Sequence, residues 1–124
     1  MANFKVTIDS ISKDLAPADR IRFKDTLTAE KLDTLTKQGT VTIDVDFYGV
    51  LNVVNPVVDD EYQQFVVVGK DGTKYVTGSA SFRASFENIA EELEAAGIDT
   101  FSINVFRLPS KKREGKDFIT CSLA

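Results

Sequence analysis

Residues Thr40–Val54 read TVTIDVDFYGVLNVV. Val41, Ile43, Val45 and Phe47 alternate with Thr42, Asp44, Asp46 and Tyr48. A period of two places one row on the buried face of a strand and the other in water. Gly49 then interrupts the run, and a glycine inside a strand marks a bulge or sharp bend, common where a sheet curls. The stretch predicts a long, bent strand. The elements after it decide which kind of sheet it begins.

NPVVDDE is a loop, and YQQFVVVG and TKYVTGS are two strands joined through KDG, where Gly72 can supply positive φ. A helix is predicted over 81–96. Phe82, Phe86, Ile89 and Leu93 form one apolar stripe on it, Glu87, Glu91, Glu92 and Glu94 take most of the remainder, and Gly97 stands at C′. TFSINVFRL resumes alternation through Phe101, Ile103 and Val105. PSKKREGKD is a loop, because Pro109 cannot donate to a ladder and Gly115 is free to turn. FITCSL closes the chain as a strand with Ile119, Cys121 and Leu123 inward.

The order from Gly39 onward is β-β-β-α-β-β with a long first strand. This predicts a mainly β chain with the OB-fold, a five-stranded Greek-key barrel with its helix between strands three and four. An α+β open sheet of the same order is the alternative, since order alone does not fix closure. At 124 residues the chain reads as one domain able to bury its own core. Residues 39–124 are the core barrel. Residues 1–38 are an N-terminal strand, with Phe4, Val6 and Ile8 alternating, and an extension in which Thr28 caps a helix carrying Leu32 and Leu35 and ended by Gly39.

Composition narrows the chemistry. Apolar residues make up 43% and charged residues 27%, as in ordinary soluble proteins. The chain has no His, so the commonest general base and metal ligand is missing. A single cysteine, Cys121, rules out an internal disulfide and a cysteine zinc site and fits a reducing compartment. No apolar run approaches a membrane span, and MANFKVTID lacks the apolar core of a signal peptide. A cytoplasmic protein without a membrane partner is expected.

The net charge of −4 conceals an asymmetry. Residues 1–106 carry ten basic and seventeen acidic side chains, and residues 107–124 carry five basic and two acidic. All five of those basic residues, Arg107, Lys111, Lys112, Arg113 and Lys116, lie in RLPSKKREGKDF. Such a cluster can follow the phosphates of a nucleic-acid strand. It can also be a solvated hairpin tip that keeps the protein soluble. Its place between the last two strands of an OB-like order favours the first reading, because that loop flanks the ligand face of the fold.

Aromatic residues on polar strand faces point the same way. Tyr48 shares its face with Asp44 and Asp46, Phe106 with Ser102 and Asn104, and Phe118 with Thr120 and Ser122. Tyr62 and Tyr75 lie on the central strands. Outward aromatics near a basic loop suit base stacking, worth roughly 1–3 kcal/mol per base. The competing reading is that the helix or residues 1–38 cover some of them. Asp44, Asp46, Asp59, Asp60 and Glu61 could hold Mg²⁺, but nothing else of a nuclease accompanies them, and no phosphate-binding loop or nucleophile elbow is present. No metal, no cofactor and no enzymatic activity are expected, and Cys121 reads as inert.

QGTVTIDVDFYG, GKDGTKYVTGS, the acidic helix, and DTFSINVFRL with its Lys-rich loop and FITCSL together carry a resemblance. From about Gln38 to Leu123 the chain resembles the small single-stranded-DNA-binding proteins of tailed phages infecting Gram-positive bacteria, a group that includes the protein of phages with protein-primed replication. The resemblance implies an OB-fold, non-specific binding of single strands during phage DNA replication in the host cytoplasm, and replication proteins as partners. The tyrosines of that family fall on Tyr48 and Tyr75, and the basic loop corresponds only in character. Residues 1–37 match poorly, so oligomeric state, a homodimer included, stays open.

The functional expectation is a sequence-tolerant single-stranded-DNA-binding protein. In it Arg107, Lys111, Lys112, Arg113 and Lys116 track phosphates while Tyr48, Tyr62, Tyr75 and Phe106 stack on bases. The alternative is a protein-interaction or structural accessory module of a phage that docks an acidic partner through the basic loop. An RNA-binding OB module is a third reading.

Overall fold

In the computed structural model, which describes residues 5–55, 57, 60–112 and 115–124, one strand of 15 residues, Val41–Asn55, carries the rest of the sheet. This strand is β3. Before it come β1 (Lys5–Ile11), α1 (Pro17–Lys24), the two-residue β2 (Glu30–Lys31) and α2 (Leu32–Leu35). After it come β4 (Asp60–Gly69), β5 (Lys74–Thr77), α3 (Ala80–Ala95), β6 (Phe101–Pro109) and β7 (Asp117–Leu123). The fold is mainly β, a curled open sheet in the order β2-β5-β4-β3-β6-β7 with β1 also paired to β3. Among the described residues no ladder joins β5 to β7, so the sheet forms a half-barrel.

One edge of β3 serves two strands in turn. Val41–Val45 pair with β6, and Gly49–Val54 pair with β1, while β4 runs along the other edge. Between Val45 and Phe47 the ladder to β4 shifts register. The extra residue, Asp46, reverses the alternation, because a one-residue slip sends every later side chain to the opposite face. Ile43, Val45, Tyr48 and Val50 therefore share one core, and Phe47 and Leu51 belong to another. The uninterrupted alternation expected from sequence is corrected here: Phe47 and Tyr48 have exchanged faces. The shift falls at Asp46 rather than at Gly49. Gly49 instead permits a close crossing, since a Cβ there would run into the Ser10 carbonyl oxygen and stand 2.9 Å from the Phe23 ring.

The two cores lie on opposite faces of the sheet. The first packs α3 on the sheet through Phe82, Phe86 and Ala90 against Phe65, Phe101, Ile103, Val105 and Ile119. Burying a Phe side chain contributes roughly 1.5–3 kcal/mol, so this stripe holds the helix in place. Ser79 caps α3 by accepting from the Phe82 N–H at 3.2 Å, and Gly97, at φ +79°, ends it. The second core is built by the N-terminal segment. Val6, Ile8, Ile11, Leu15 and Phe23 cover Leu51, Val66, Val68 and Val76. Lys74 fastens that cover by donating to the carbonyls of Arg22 and Asp25 at the end of α1, and its desolvation lowers its pKa.

Residues 1–38 depart most from expectation. The helix expected from Thr28 is only Leu32–Leu35, with Lys31 at its N-cap and no side-chain cap bond. The helix α1 was not anticipated, because Phe23 is its one buried residue and a single apolar position makes no stripe. The short α2 sits where the sheet is open. Leu32 is fully buried in the first core, the Thr77 hydroxyl on β5 donates to Asp33 Oδ1 at 2.7 Å, and Arg107 on β6 reaches it from the other side. A single helical turn thus links β5 to the β6–β7 hairpin across the open side of the sheet.

Candidate nucleic-acid interface

Strands β6 and β7 form an antiparallel hairpin in which Phe106 lies opposite Thr120, Leu108 opposite Phe118 and Pro109 opposite Asp117. The Ser110 N–H donates to the Lys116 carbonyl at 2.8 Å, closing the base of the loop, and Gly115 takes φ +76° within it. Ile103, Val105, Ile119 and Cys121 face the core. Strand alternation therefore puts Ser102, Asn104, Phe106, Leu108, Phe118, Thr120 and Ser122 on the opposite face. Phe106 and Phe118 are diagonal neighbours there and each is half-buried, while Leu108 is 43% exposed. Leu108 escaped the sequence reading, although its spacing from Phe106 marks the same face. Leu123, expected inward, is 53% exposed because the strand ends at that point.

Lys111, Lys112 and Lys116 stand exposed at the tip. Among the described residues no carboxylate lies within ion-pair distance of any of them. Arg113 lies outside the described residues. The hairpin therefore places three ammonium groups at the end of a face that carries two Phe rings.

Arg107, grouped by the sequence with the phosphate-tracking cations, does not share this face. It shares the inward face of Val105 and is held by three bonds. Its Nε donates to Thr36 Oγ1 at 2.9 Å, Nη1 to Asp117 Oδ1 at 2.8 Å and Nη2 to the Asp33 carbonyl at 2.7 Å. All three guanidinium nitrogens are engaged, and two of them fix α2 against the hairpin.

Tyr48 is likewise displaced from its expected place on an outer polar face. Its ring meets Phe86 edge-on at 4.8 Å, and its hydroxyl donates to Glu94 Oε1 on α3 at 2.5 Å. Burial, the Glu94 bond and the charges of Glu94, Glu87 and Glu91 hold the phenol pKa well above its usual range. The carboxylates around it make the spot unfavourable for a phosphate. Tyr75 is half-buried against the same core and borders an open groove of about 600 Å³ lined by Glu30, Leu35, Gln38, Thr42 and Thr73. Burial, then Asp71 and Glu30, raise its pKa. Tyr62 is 42% exposed and pairs with Val53 at the far end of β3. At ~3.3 Å per residue, Val41 to Val53 is roughly 40 Å of strand, so Tyr62 and the basic tip belong to different ends of the sheet.

The remaining chemistry is accounted for locally. Asp44 accepts from the Ser102 hydroxyl, and Asp46 pairs with Lys13 at 3.3 Å. Asp59 lies outside the described residues, and among the described residues no group of three His, Cys, Asp or Glu could hold a metal ion. Cys121 is buried, and burial pushes its thiol up to about 11. No helix among the described residues is long and apolar enough to cross a membrane.

Fold and site together define a curled open β-sheet protein with a lysine-tipped hairpin carrying an aromatic face. Compared with protein-family models, with curated proteins and with solved structures, the chain matches none.

Proposed function

We propose that this chain is a sequence-tolerant single-stranded-DNA-binding protein of the OB class, with its strand lying on the outer face of the β6–β7 hairpin. The observation that carries the reading is the juxtaposition of Lys111, Lys112 and Lys116 with Phe106 and Phe118 on one hairpin. Lysines at the tip neutralise phosphates, and half-buried rings beside them offer stacking surfaces to unpaired bases of any identity. The order β5-β4-β3-β6-β7, with α3 between β5 and β6, agrees with an OB barrel left open between its third and fifth strands. Glu87, Glu91 and Glu94 on α3 give the neighbouring surface the opposite sign, which disfavours a long duplex lying across the molecule. Protection of single strands during phage DNA replication in the host cytoplasm is the corresponding role.

Fluorescence anisotropy with labelled oligo-dT and with duplex of equal length, each at two salt concentrations, tests the reading. Micromolar or tighter binding to oligo-dT, weakened by salt and much poorer for duplex, is expected. Equal affinity for duplex sinks it. Absence of binding to either sinks it too and leaves the hairpin as a dock for an acidic protein. Preference for oligo-rU in competition reassigns the site to RNA.

A further inference from the structure

Strand β1 presents an edge that the sheet does not use. It pairs with β3 along one side, and among the described residues no strand pairs with its other side. An edge that runs regularly through Lys5–Ile8 and bulges at Asp9, where its ladder to β3 shifts register, offers a row of backbone donors and acceptors to any strand that can match it. The sequence of this edge matches itself. Laid antiparallel to a second copy and centred on Thr7, KVTID places Lys5 opposite Asp9 of the other copy, Val6 opposite Ile8, and Thr7 opposite Thr7. Opposite charges, apolar pairs and Thr–Thr pairs are the cross-strand combinations that stabilise antiparallel ladders.

The local geometry prepares those side chains. Lys5, Thr7 and Asp9 are exposed, and Asp9 accepts from Asn52 Nδ2 at 3.3 Å. Asn52 lies opposite Thr7 across the β1–β3 ladder, so its bond holds the Asp9 carboxylate on the Thr7 face. Asn52 is steadied in turn by the Gln63 amide at 2.9 Å. Val6 and Ile8 are half-buried on the second core, and a neighbouring strand would cover the remainder. We propose that a second copy of this chain is the partner of β1, giving a two-fold dimer with one sheet continuous across both protomers. Each residue pair then occurs twice, as a two-fold interface requires. So short a ladder buries less than the roughly 1,200–2,000 Å² of a standard interface, so the dimer is weak and concentration-dependent.

Sedimentation velocity over a concentration series, combined with cysteine crosslinking, tests this. The mass should rise from monomer toward dimer. Lys5→Glu should abolish the rise, and Lys5→Glu with Asp9→Lys should restore it. Residues directly opposite in an antiparallel pair have Cα atoms about 4.5–5.5 Å apart, within the range of about 4.4–6.8 Å that a disulfide needs. Thr7→Cys should therefore form covalent dimers on mild oxidation, the native Cys121 being buried. Lys5→Cys places its two thiols roughly 13 Å apart along the ladder and should not. A monomer at every concentration, a dimer indifferent to Lys5→Glu, or crosslinking at Lys5→Cys as fast as at Thr7→Cys overturns the proposal.

Discussion

Arg107 Nη2 donates to the Asp33 carbonyl at 2.7 Å across 74 residues of sequence, tying the basic hairpin to the helical turn that bridges the open sheet. The same guanidinium serves Thr36, which is 6% exposed and itself donates to the Leu32 carbonyl. Arg107→Ala removes a charged donor from a nearly buried acceptor, a loss of about 1.5–3 kcal/mol. Urea denaturation should show the unfolding free energy falling by that amount. Arg107→Lys should recover little, since one ammonium cannot span three acceptors arranged for a fork. Unchanged stability in Arg107→Ala would show that its bonds to Thr36 and Asp33 do not hold α2 in place.

The legibility of each element in the sequence depends on what its residues report. The strands β3, β6 and β7 and the helix α3 were legible because each carries an apolar period over enough residues to be distinctive, and β4 and β5 because an apolar run and a short strand flank the KDG turn. The bulge at Asp46 was not, because Phe47 and Tyr48 both tolerate either face of a strand, so nothing in their identity betrays the exchange. A count of charges groups Arg107 with the lysines, yet the alternation that sends Phe106 outward also sends Arg107 inward beside Val105. The period contained the answer. In the N-terminal segment Phe23 alone anchors α1, and Leu32 and Leu35 span a single turn, too little for any period to register. Of the aromatic set, Phe106 lies on the outer face of the hairpin whose tip carries the lysines. Tyr48 was turned inward by the register shift at Asp46, and Tyr62 lies at the far end of β3, neither of which the local pattern encodes.

The lysines at the hairpin tip make a quantitative claim on the salt dependence of binding. For single strands the logarithm of affinity falls with the logarithm of salt by about 0.7 for each phosphate neutralised. Replacing Lys111, Lys112 and Lys116 together with Ala should reduce that slope by about 2, measured by anisotropy on oligo-dT. Phe106→Ala should weaken binding by roughly 1–3 kcal/mol while leaving the slope alone, because stacking releases no counterions. A slope unchanged in the triple variant removes the hairpin from the interface.

Tyr48 ties alkaline stability to α3. Its folded pKa lies above the ordinary phenol value of about 10, so the folded protein holds the proton after the unfolded chain has released it. The stabilisation is complete below about pH 10 and is lost as pH rises above that. Tyr48→Phe should make the alkaline decline in unfolding free energy shallower, measured by urea melts from pH 8 upward. Part of the decline should persist, since Tyr75 is also raised and the thiol of Cys121 is pushed up to about 11. At neutral pH the variant should lose about 0.5–1.5 kcal/mol through the absent bond to Glu94. An alkaline profile identical to that of the parent would mean that Glu94 does not hold the phenol.

Gly49 is the position where the N-terminal segment crosses β3, and two glycine substitutions separate that crossing from glycine's other uses. A Cβ at Gly49 would collide with the Ser10 carbonyl oxygen and crowd Phe23 and the Ile11 Cα. Backbone cannot swing aside as a side-chain tip can, so Gly49→Ala should push β1 and α1 off the sheet. Overpacking of this kind costs typically about 1–3 kcal/mol. The loss should appear as a lower urea midpoint, accompanied by faster proteolytic cleavage in residues 12–28, because Phe23 can no longer seat against Phe47 at 5.7 Å. Gly78 provides the contrast, with open space around its Cα and a backbone conformation that alanine can adopt. Gly78→Ala should be neutral or stabilise by about 0.4–1 kcal/mol through reduced freedom of the unfolded chain. Equal effects at the two positions would show that chain flexibility, rather than the close passage of β1 over β3, governs the response at Gly49.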